Sequence, residues 1–236
     1  MSANRQPTFN PLSASSPRPS SLHTFCDQTS GAIHFVHCTL RYWIRTSAIN
    51  KDVMFKLETT HLILRDMQPT DEAAFVAISQ ESKYQRFYSE SDCDPDKYRQ
   101  LTKLFIEQAN EHPRTAYQLA IEYKATGKFI GTVCLRLEAN NQASMGCGMS
   151  REYQGHGLIN EAAHALLDFG FRTLAVHRVY AETISRNRAA IRLCKTLGMR
   201  QEGYFREHRF FKDQWWDTVV LAILQREWQQ SSSPAN

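Results

Sequence analysis

Between Tyr153 and Glu161 the chain reads Tyr-Gln-Gly-His-Gly-Leu-Ile-Asn-Glu, and this short stretch constrains the fold more than any other. Two glycines precede a run in which Leu158, Ala162, Leu166, Phe169 and Ala175 recur mostly at helical spacing, so a loop feeds an amphipathic helix. Glycine lets the main chain approach a ligand that a Cβ would hold off, and the first helical turn presents N–H groups without intrahelical partners. Together they make a cradle for phosphate. A tight turn before a helix would have the same local pattern, so the surrounding residues decide between the two.

The chain has 236 residues, enough for one domain of ordinary size and a tail. Apolar residues at 42% and charged residues at 22% describe an ordinary globular protein rather than a disordered or fibrous one. A formal charge of +4 is too small and too scattered to indicate nucleic acid, although it favours an anionic cofactor. No apolar run reaches membrane-spanning length, so no membrane partner is expected. Cys26, Cys38, Cys93, Cys134, Cys147 and Cys194 form no Cys-x-x-Cys pair and follow no secretory signal, so they read as reduced thiols of a cytoplasmic protein.

Residues 1–53 differ in composition from the rest. Ser and Pro are frequent up to Ser21, and Asp27 is the sole acid before Asp52, a composition that packs poorly. His23, Cys26, His34, His37 and Cys38 match no established zinc spacing, and no metal is expected. An acid-poor leader of this kind also resembles organelle transit peptides. Because Met54 stands directly before the globular pattern, 1–53 is read as a disordered or mis-assigned leader, and 54–230 as the domain.

Within the domain, His61 to Arg65 reads as a first strand. Thr70-Asp71-Glu72 opens a helix with a capping hydroxyl and two acids, and Ala74, Phe75 and Ile78 form its apolar face. Asp94-Pro95 opens a second helix, with Leu101, Leu104 and Phe105 as the buried stripe and a stop near His112-Pro113. The polar and aromatic stretch from Tyr84 to Cys93 is a substrate-side loop candidate. Strands follow at Tyr117 to Tyr123, Phe129 to Leu137 and Gln142 to Ser150, the first two joined through Lys124-Ala-Thr-Gly-Lys128. Gly146 and Gly148 mark a bulge or a close backbone approach in the third. After the glycine loop and its helix come a strand from Val179 to Ile184, a short helix from Asn187 to Leu197 stopped by Gly198, and strands at Gln201 to Phe210 and Trp216 to Leu224.

This order resembles the GCN5-related N-acetyltransferase (GNAT) fold, an α+β architecture of the acyl-CoA N-acyltransferase type. Its mixed central sheet has about seven strands, with helices on both faces. Gln154-x-x-Gly157 resembles the family's pyrophosphate signature Gln/Arg-x-x-Gly-x-Gly/Ala, with Ile159 departing at the last position. The RimJ/RimL-type branch, which acetylates ribosomal-protein N-termini, carries similar Gln-Gly-x-Gly-Ile-Ile sequences. Asn187, Leu193, Lys195, Leu197 and Gly198 resemble that branch's Asn-x-x-Ser…Lys-Leu-Gly-Phe block, with Ala190 in place of Ser and Met199 in place of Phe. Glu202-Gly203, Arg206-Glu207-His208 and Trp216-x-x-Val219 complete the likeness, which covers about residues 57 to 228.

The resemblance implies acetyl-CoA as cosubstrate and a primary amine as acceptor. N–H groups from Gly155, His156, Gly157, Leu158, Ile159 and Asn160, following Gln154, would hold the pyrophosphate. A bulged strand around Cys147 to Met149 would pair with the pantetheine arm and aim an N–H at the thioester oxygen. Asn187 would anchor the cofactor by its amide, a role compatible with capping the following helix. Arg188 and Arg192 would meet the 3′-phosphate, unless they are simply solvated cations of an exposed helix face.

Attack requires a neutral amine, so a base or a water chain must take a proton, and no covalent enzyme intermediate is implied. Glu207 and His208 are the base candidates by resemblance, Glu207 the preferred one because a carboxylate can accept from ammonium and also hold a water, with Glu182 as a third, against the plainer reading of charged residues facing solvent on a strand. As neighbours on one strand, Glu207 and His208 are expected on opposite faces. Cys147 and Cys194 read as small core residues rather than nucleophiles. A protein N-terminus, a polyamine or an aminoglycoside-like amine remain open as acceptor, and the protein as monomer or homodimer. The alternative is a non-catalytic acyl-CoA-binding or sensing module of the same fold, which Ala190 permits. A dinucleotide site is disfavoured, because Gly155-x-Gly157 lacks the third glycine of Gly-x-Gly-x-x-Gly.

Overall fold

The computed structural model describes residues 54–231. The leader and its histidines and cysteines therefore lie outside the described residues. In chain order the elements are β1 (Lys56–Glu58), β2 (Leu62–Asp66), α1 (Glu72–Ser79), α2 (Ser82–Gln85), α3 (Pro95–Ala109), β3 (Ala116–Tyr123), β4 (Lys128–Glu138) and β5 (Gln142–Met149). Then follow α4 (Leu158–Arg172), β6 (Arg178–Ile184), α5 (Arg188–Thr196), β7 (Arg200–Phe211), β8 (Gln214–Leu224) and α6 (Gln225–Ser231). Eight strands form one sheet in the order β1-β2-β3-β4-β5-β6-β8-β7. The eighth, β1, is a three-residue edge strand that the sequence did not signal.

Strand alternation divides the sheet into two apolar faces. On one, Leu62, Leu64, Leu119, Ile121, Val133, Leu135, Val179, Leu221 and Ile223 pack with Leu158, Ala162, Leu166, Leu167 and Phe171 of α4, Cys194 of α5 and Trp228 of α6. Each fully buried leucine here contributes about 2 kcal/mol of transfer free energy, enough to hold α4 in place. On the other face Met67, Phe75, Tyr98, Phe105 and Ala120 form a smaller core under α1 and α3. Leu101 and Leu104 are only half-buried, and Tyr98 and Thr102 take the innermost positions of α3 instead.

Asp94 caps α3 by accepting from the Asp96 N–H at 2.8 Å, as its sequence position suggests. Thr70 does not cap α1. Its neighbour Asp71 is drawn into the protein, where it accepts from the two terminal guanidinium nitrogens of Arg65 at 2.8 and 2.9 Å and from the Gln68 N–H at 2.8 Å. That carboxylate joins β2 to α1. The β7–β8 turn at Lys212-Asp213 has φ of 52° and 53°, the two positive values that a tight hairpin turn of the primed type requires.

One sheet connection shapes everything that follows. β5 and β6 are parallel, and they pair over only three positions, Gln142 with Arg178, Ala143 with Val179 and Ser144 with Tyr180. Beyond Ser144 the two strands part. β5 keeps an unbroken register with β4 through Met149, while β6 follows β8 through Ile184. The sheet is open between Met145–Met149 and Ala181–Ile184.

Candidate active site

The expected bulge at Cys147 to Met149 is absent, because β4 and β5 pair residue for residue from Gly131–Met149 to Glu138–Gln142. The irregularity lies one strand away, where Ile121 pairs with Gly131 and Glu122 with Phe129, leaving Ile130 extra on β4. A straight β5 still exposes donors. The Ser150 N–H points at Ile130 O on β4, so by alternation the N–H groups of Met149, Cys147 and Met145 point away from β4 into the opening. Glycine at 148 has a side-chain cause, since a Cβ there would lie 2.9 Å from Tyr84 Cε2.

The loop after β5 turns through Arg151–Tyr153 and reaches α4 by way of Gly155 (φ 88°) and Gly157 (φ 77°). A Cβ at either glycine would meet nothing within 4 Å, so left-handed backbone, not crowding, selects glycine here. Gly157 is the N-cap of α4, which leaves the N–H groups of Leu158, Ile159 and Asn160 as the first turn without intrahelical partners. The Asn160 Oδ1 is buried in the same turn without a partner. Gln154 differs from expectation. Its amide donates to Met149 O at 2.8 Å and its N–H to Arg151 O at 3.2 Å, so it fixes the loop to β5 rather than facing a ligand.

Asn187 is the N-cap of α5, with Oδ1 accepting from the Ala190 N–H at 3.3 Å and Nδ2 donating to Thr183 Oγ1 at 3.2 Å. One amide hydrogen is left over for a ligand. Arg188 and Arg192 are exposed on α5. Cys147 sits in the concavity of the opening, where part of its surface meets solvent while loss of hydration pushes the thiol up to about 12.

The open edge of β6 brings Glu182 together with His208. His208 Nδ1 lies 2.7 Å from Thr218 Oγ1 and 3.9 Å from Glu182 Oε1, and Arg209 donates to that same oxygen at 3.3 Å. Glu207 is not part of this group. Between the pairs Phe205–Thr218 and Arg209–Trp216 the edge strand carries extra residues, and Glu207 occupies this bulge with φ 50°, its N–H on Asp217 Oδ1 at 2.8 Å. Alternation along a regular strand therefore does not describe Glu207 and His208.

Sequence reasoning also missed how α2 and the residues after it cross the opening. Tyr84 lies on Gly148 of β5, Phe87 meets Trp216 of β8 edge-on at 6.0 Å, and Lys212 of the hairpin turn donates to Gln85 O at 2.7 Å. Because β6 lies between β5 and β8, this segment passes over the gap on the face that carries Glu182 and His208. Tyr84 stacks on Tyr88 at 5.2 Å and 9°, and Tyr98 Oη donates to Tyr84 Oη at 3.2 Å. All three phenols are held above their usual range, Tyr84 and Tyr98 chiefly by burial and Tyr88 chiefly by the adjoining Tyr84. The clustering of aromatics in 84–98 was the signal available in the sequence. Cavities of about 800 Å³ beside Asp168 and Trp228, and about 450 Å³ beside Ser89 and Lys212, lie outside the glycine loop.

A glycine loop at a helix N-terminus is the arrangement expected from the resemblance, here found beside a parted pair of parallel strands, and residues 61–200 match the acetyltransferase (GNAT) domain family. The chain belongs to the GNAT family. As such it is an N-acetyltransferase, and the match takes in more than half of its length. It is 40% identical over 76 residues to the uncharacterized N-acetyltransferase YnaD of Bacillus subtilis, 32% of this chain and 45% of that protein. To the ribosomal protein uS5-alanine N-acetyltransferase of Escherichia coli it is 31% identical over 84 residues, 36% of this chain and 43% of that enzyme. The chain thus spans less than half the length of both relatives in these matches. Among solved structures, the spermidine N-acetyltransferase of Vibrio cholerae in complex with CoA and spermine superposes with a TM-score of 0.63 at 21% identity, covering 72% of this chain and 99% of that one. The likeness to the ribosomal-protein enzymes agrees with a RimJ/RimL-like branch. Among the described residues no helix is long and apolar enough to cross a membrane, and no group of three or more His, Cys, Asp or Glu is placed to hold a metal ion.

Proposed function

We propose that this GNAT enzyme transfers the acetyl group of acetyl-CoA to a primary amine by direct attack within a ternary complex. The observation that carries the reading is the loss of β5–β6 pairing after Ser144, directly beside the unpaired first turn of α4. The N–H groups of Gly155 to Asn160 would take the pyrophosphate, where the helix dipole and several donors act on the same charge. From there the pantetheine arm runs along the free edge of β5, taking the outward N–H groups of Met149 and Cys147 as an added strand would. An N–H of this edge then polarises the thioester carbonyl and stabilises the oxyanion as nitrogen attacks.

The acceptor enters from the opposite face, past Tyr84 and Tyr88. Its ammonium must lose a proton first, and His208, bonded to Thr218 with Glu182 3.9 Å away, accepts it directly or through water in this reading. In the tetrahedral intermediate the nitrogen gives up its second proton to water, and collapse then breaks the carbon–sulfur bond, leaving amide and CoA thiolate. Tyr84, which remains protonated, is the donor on that side.

Calorimetry with acetyl-CoA tests the site. Gly157→Val forces a branched side chain onto a φ of 77° where phosphate must approach, so binding should fall by about a hundredfold or more while the circular dichroism spectrum stays near native. Unchanged affinity would place the cofactor elsewhere.

A further inference from the structure

Tyr98, Tyr84 and Tyr88 form a series with one open end. Tyr98 is buried and donates to Tyr84, and Tyr84 is fixed between Gly148 and Tyr88. One face of Tyr88 lies parallel to Tyr84, while 38% of Tyr88 is exposed. A near-parallel stack whose terminal residue keeps over a third of its surface exposed is a platform for one more flat group. Its rigidity matters as well, since a ring already held in place loses little rotamer freedom on binding.

The charges around the opening narrow the choice of acceptor. Glu182 is engaged by Arg209 at 3.3 Å, and Glu81 by Ser150 Oγ at 2.9 Å and the Arg151 N–H at 3.0 Å. The Arg186 guanidinium lies 5.5 Å over the Trp216 ring. A chain with several ammonium groups would find these carboxylates occupied and cations beside them, whereas a single amine with an uncharged flat body would not. We infer that the acceptor is a primary amine bearing an aromatic group, seated by stacking on the open face of Tyr88. This inference rests on the reading of the β5–β6 opening as the acetyl-transfer site. Tyr88 is then a specificity-determining residue, since it touches the acceptor's body rather than the reacting atoms.

Two amines of nearly equal size and basicity separate stacking from simple hydrophobic contact: 2-phenylethylamine and 2-cyclohexylethylamine. With acetyl-CoA and the full chain, following release of CoA thiol, kcat/KM for the phenyl amine should exceed that for the cyclohexyl amine by about tenfold, the size of one good aromatic stack. It should also exceed that for spermidine. In Tyr88→Leu the phenyl-to-cyclohexyl ratio should fall to near one, mainly through KM for the amine, and in Tyr88→Phe it should persist. Phe-Ala amide against Ala-Ala amide shows whether the aromatic amine is free or the first residue of a peptide. Preference for spermidine, equal use of the two matched amines by the unaltered protein, or a ratio that survives Tyr88→Leu overturns the inference. So does failure to acetylate any aromatic amine while acetyl-CoA still binds. If Tyr88→Leu does not fold, the ranking by the unaltered protein decides alone. Failure to bind acetyl-CoA at all would instead sink the parent reading, and calorimetry distinguishes the two.

Discussion

The side-chain amide of Gln154 and the main-chain oxygen of Met149 are 2.8 Å apart, and this bond ties the glycine loop to the last residue of the open strand. The phosphate-binding turn and the pantetheine-binding edge are thereby held in one geometry. Gln154→Ala should loosen that relation without removing a ligand contact. The expected result is a five- to tenfold rise in KM for acetyl-CoA with kcat changed by less than about threefold, the worth of one hydrogen bond. A large fall in kcat at unchanged KM would assign Gln154 a role in the chemistry itself.

The Arg65–Asp71 pair makes a separate prediction about stability. Both side chains are nearly excluded from water, at 10% and 4% exposure, and Arg65 also donates to Glu122 at 2.8 Å. Asp71→Ala leaves a buried guanidinium with one carboxylate instead of two and orphans the Gln68 N–H. A loss of about 3 kcal/mol is expected. For a domain of this size that lowers Tm by roughly 10 °C. Thermal denaturation checks it, and a shift under about 2 °C would show that water reaches Arg65 in the variant.

What could be read in the sequence is local, and what could not is tertiary. Gly155, Gly157 and the α4 stripe announce themselves through backbone conformation and period, as Asp94-Pro95 does for α3. β1 has three residues and exists because β2 pairs with it, and four-residue α2 has too little length for any period. Asp71 reads as a helix-opening acid until Arg65 is brought beside it. The residues opposite the cofactor are the least legible. Glu207 lies in a bulge that only pairing with β8 reveals, and the meeting of Glu182 with His208 requires two distant segments to come together.

Cys147 faces the proposed path of the pantetheine arm, yet its thiol, pushed up to about 12, is a poor nucleophile. At pH 8 the thiolate fraction is therefore far below that of an ordinary cysteine thiol. Alkylation of Cys147 by iodoacetamide, followed by peptide mass spectrometry, should be slow at pH 8 and quicken about tenfold per pH unit above it. Acetyl-CoA should protect it. Cys147→Ser should keep kcat within about an order of magnitude, because the main-chain N–H is retained. Rapid labelling at neutral pH, together with loss of turnover in Cys147→Ser, would argue for an acetyl-cysteine intermediate.

Proton removal separates His208 from Glu207. His208 touches Thr218 and lies within 3.9 Å of Glu182, whereas Glu207 is exposed and held in the bulge by its main-chain bond to Asp217. If His208 takes the amine proton, kcat/KM should rise with pH through an ionisation that vanishes in His208→Gln, with a loss of about a hundredfold. Only the free amine's own ionisation should then remain. Glu207→Gln should cost less than about threefold and leave the profile unaltered. Glu182→Gln should fall between them, since it removes a carboxylate that lies 3.9 Å from the imidazole without removing the bond to Thr218. Small and equal effects at 182, 207 and 208 would set aside all three side chains, and protons would then leave through ordered water along the open edge of β6.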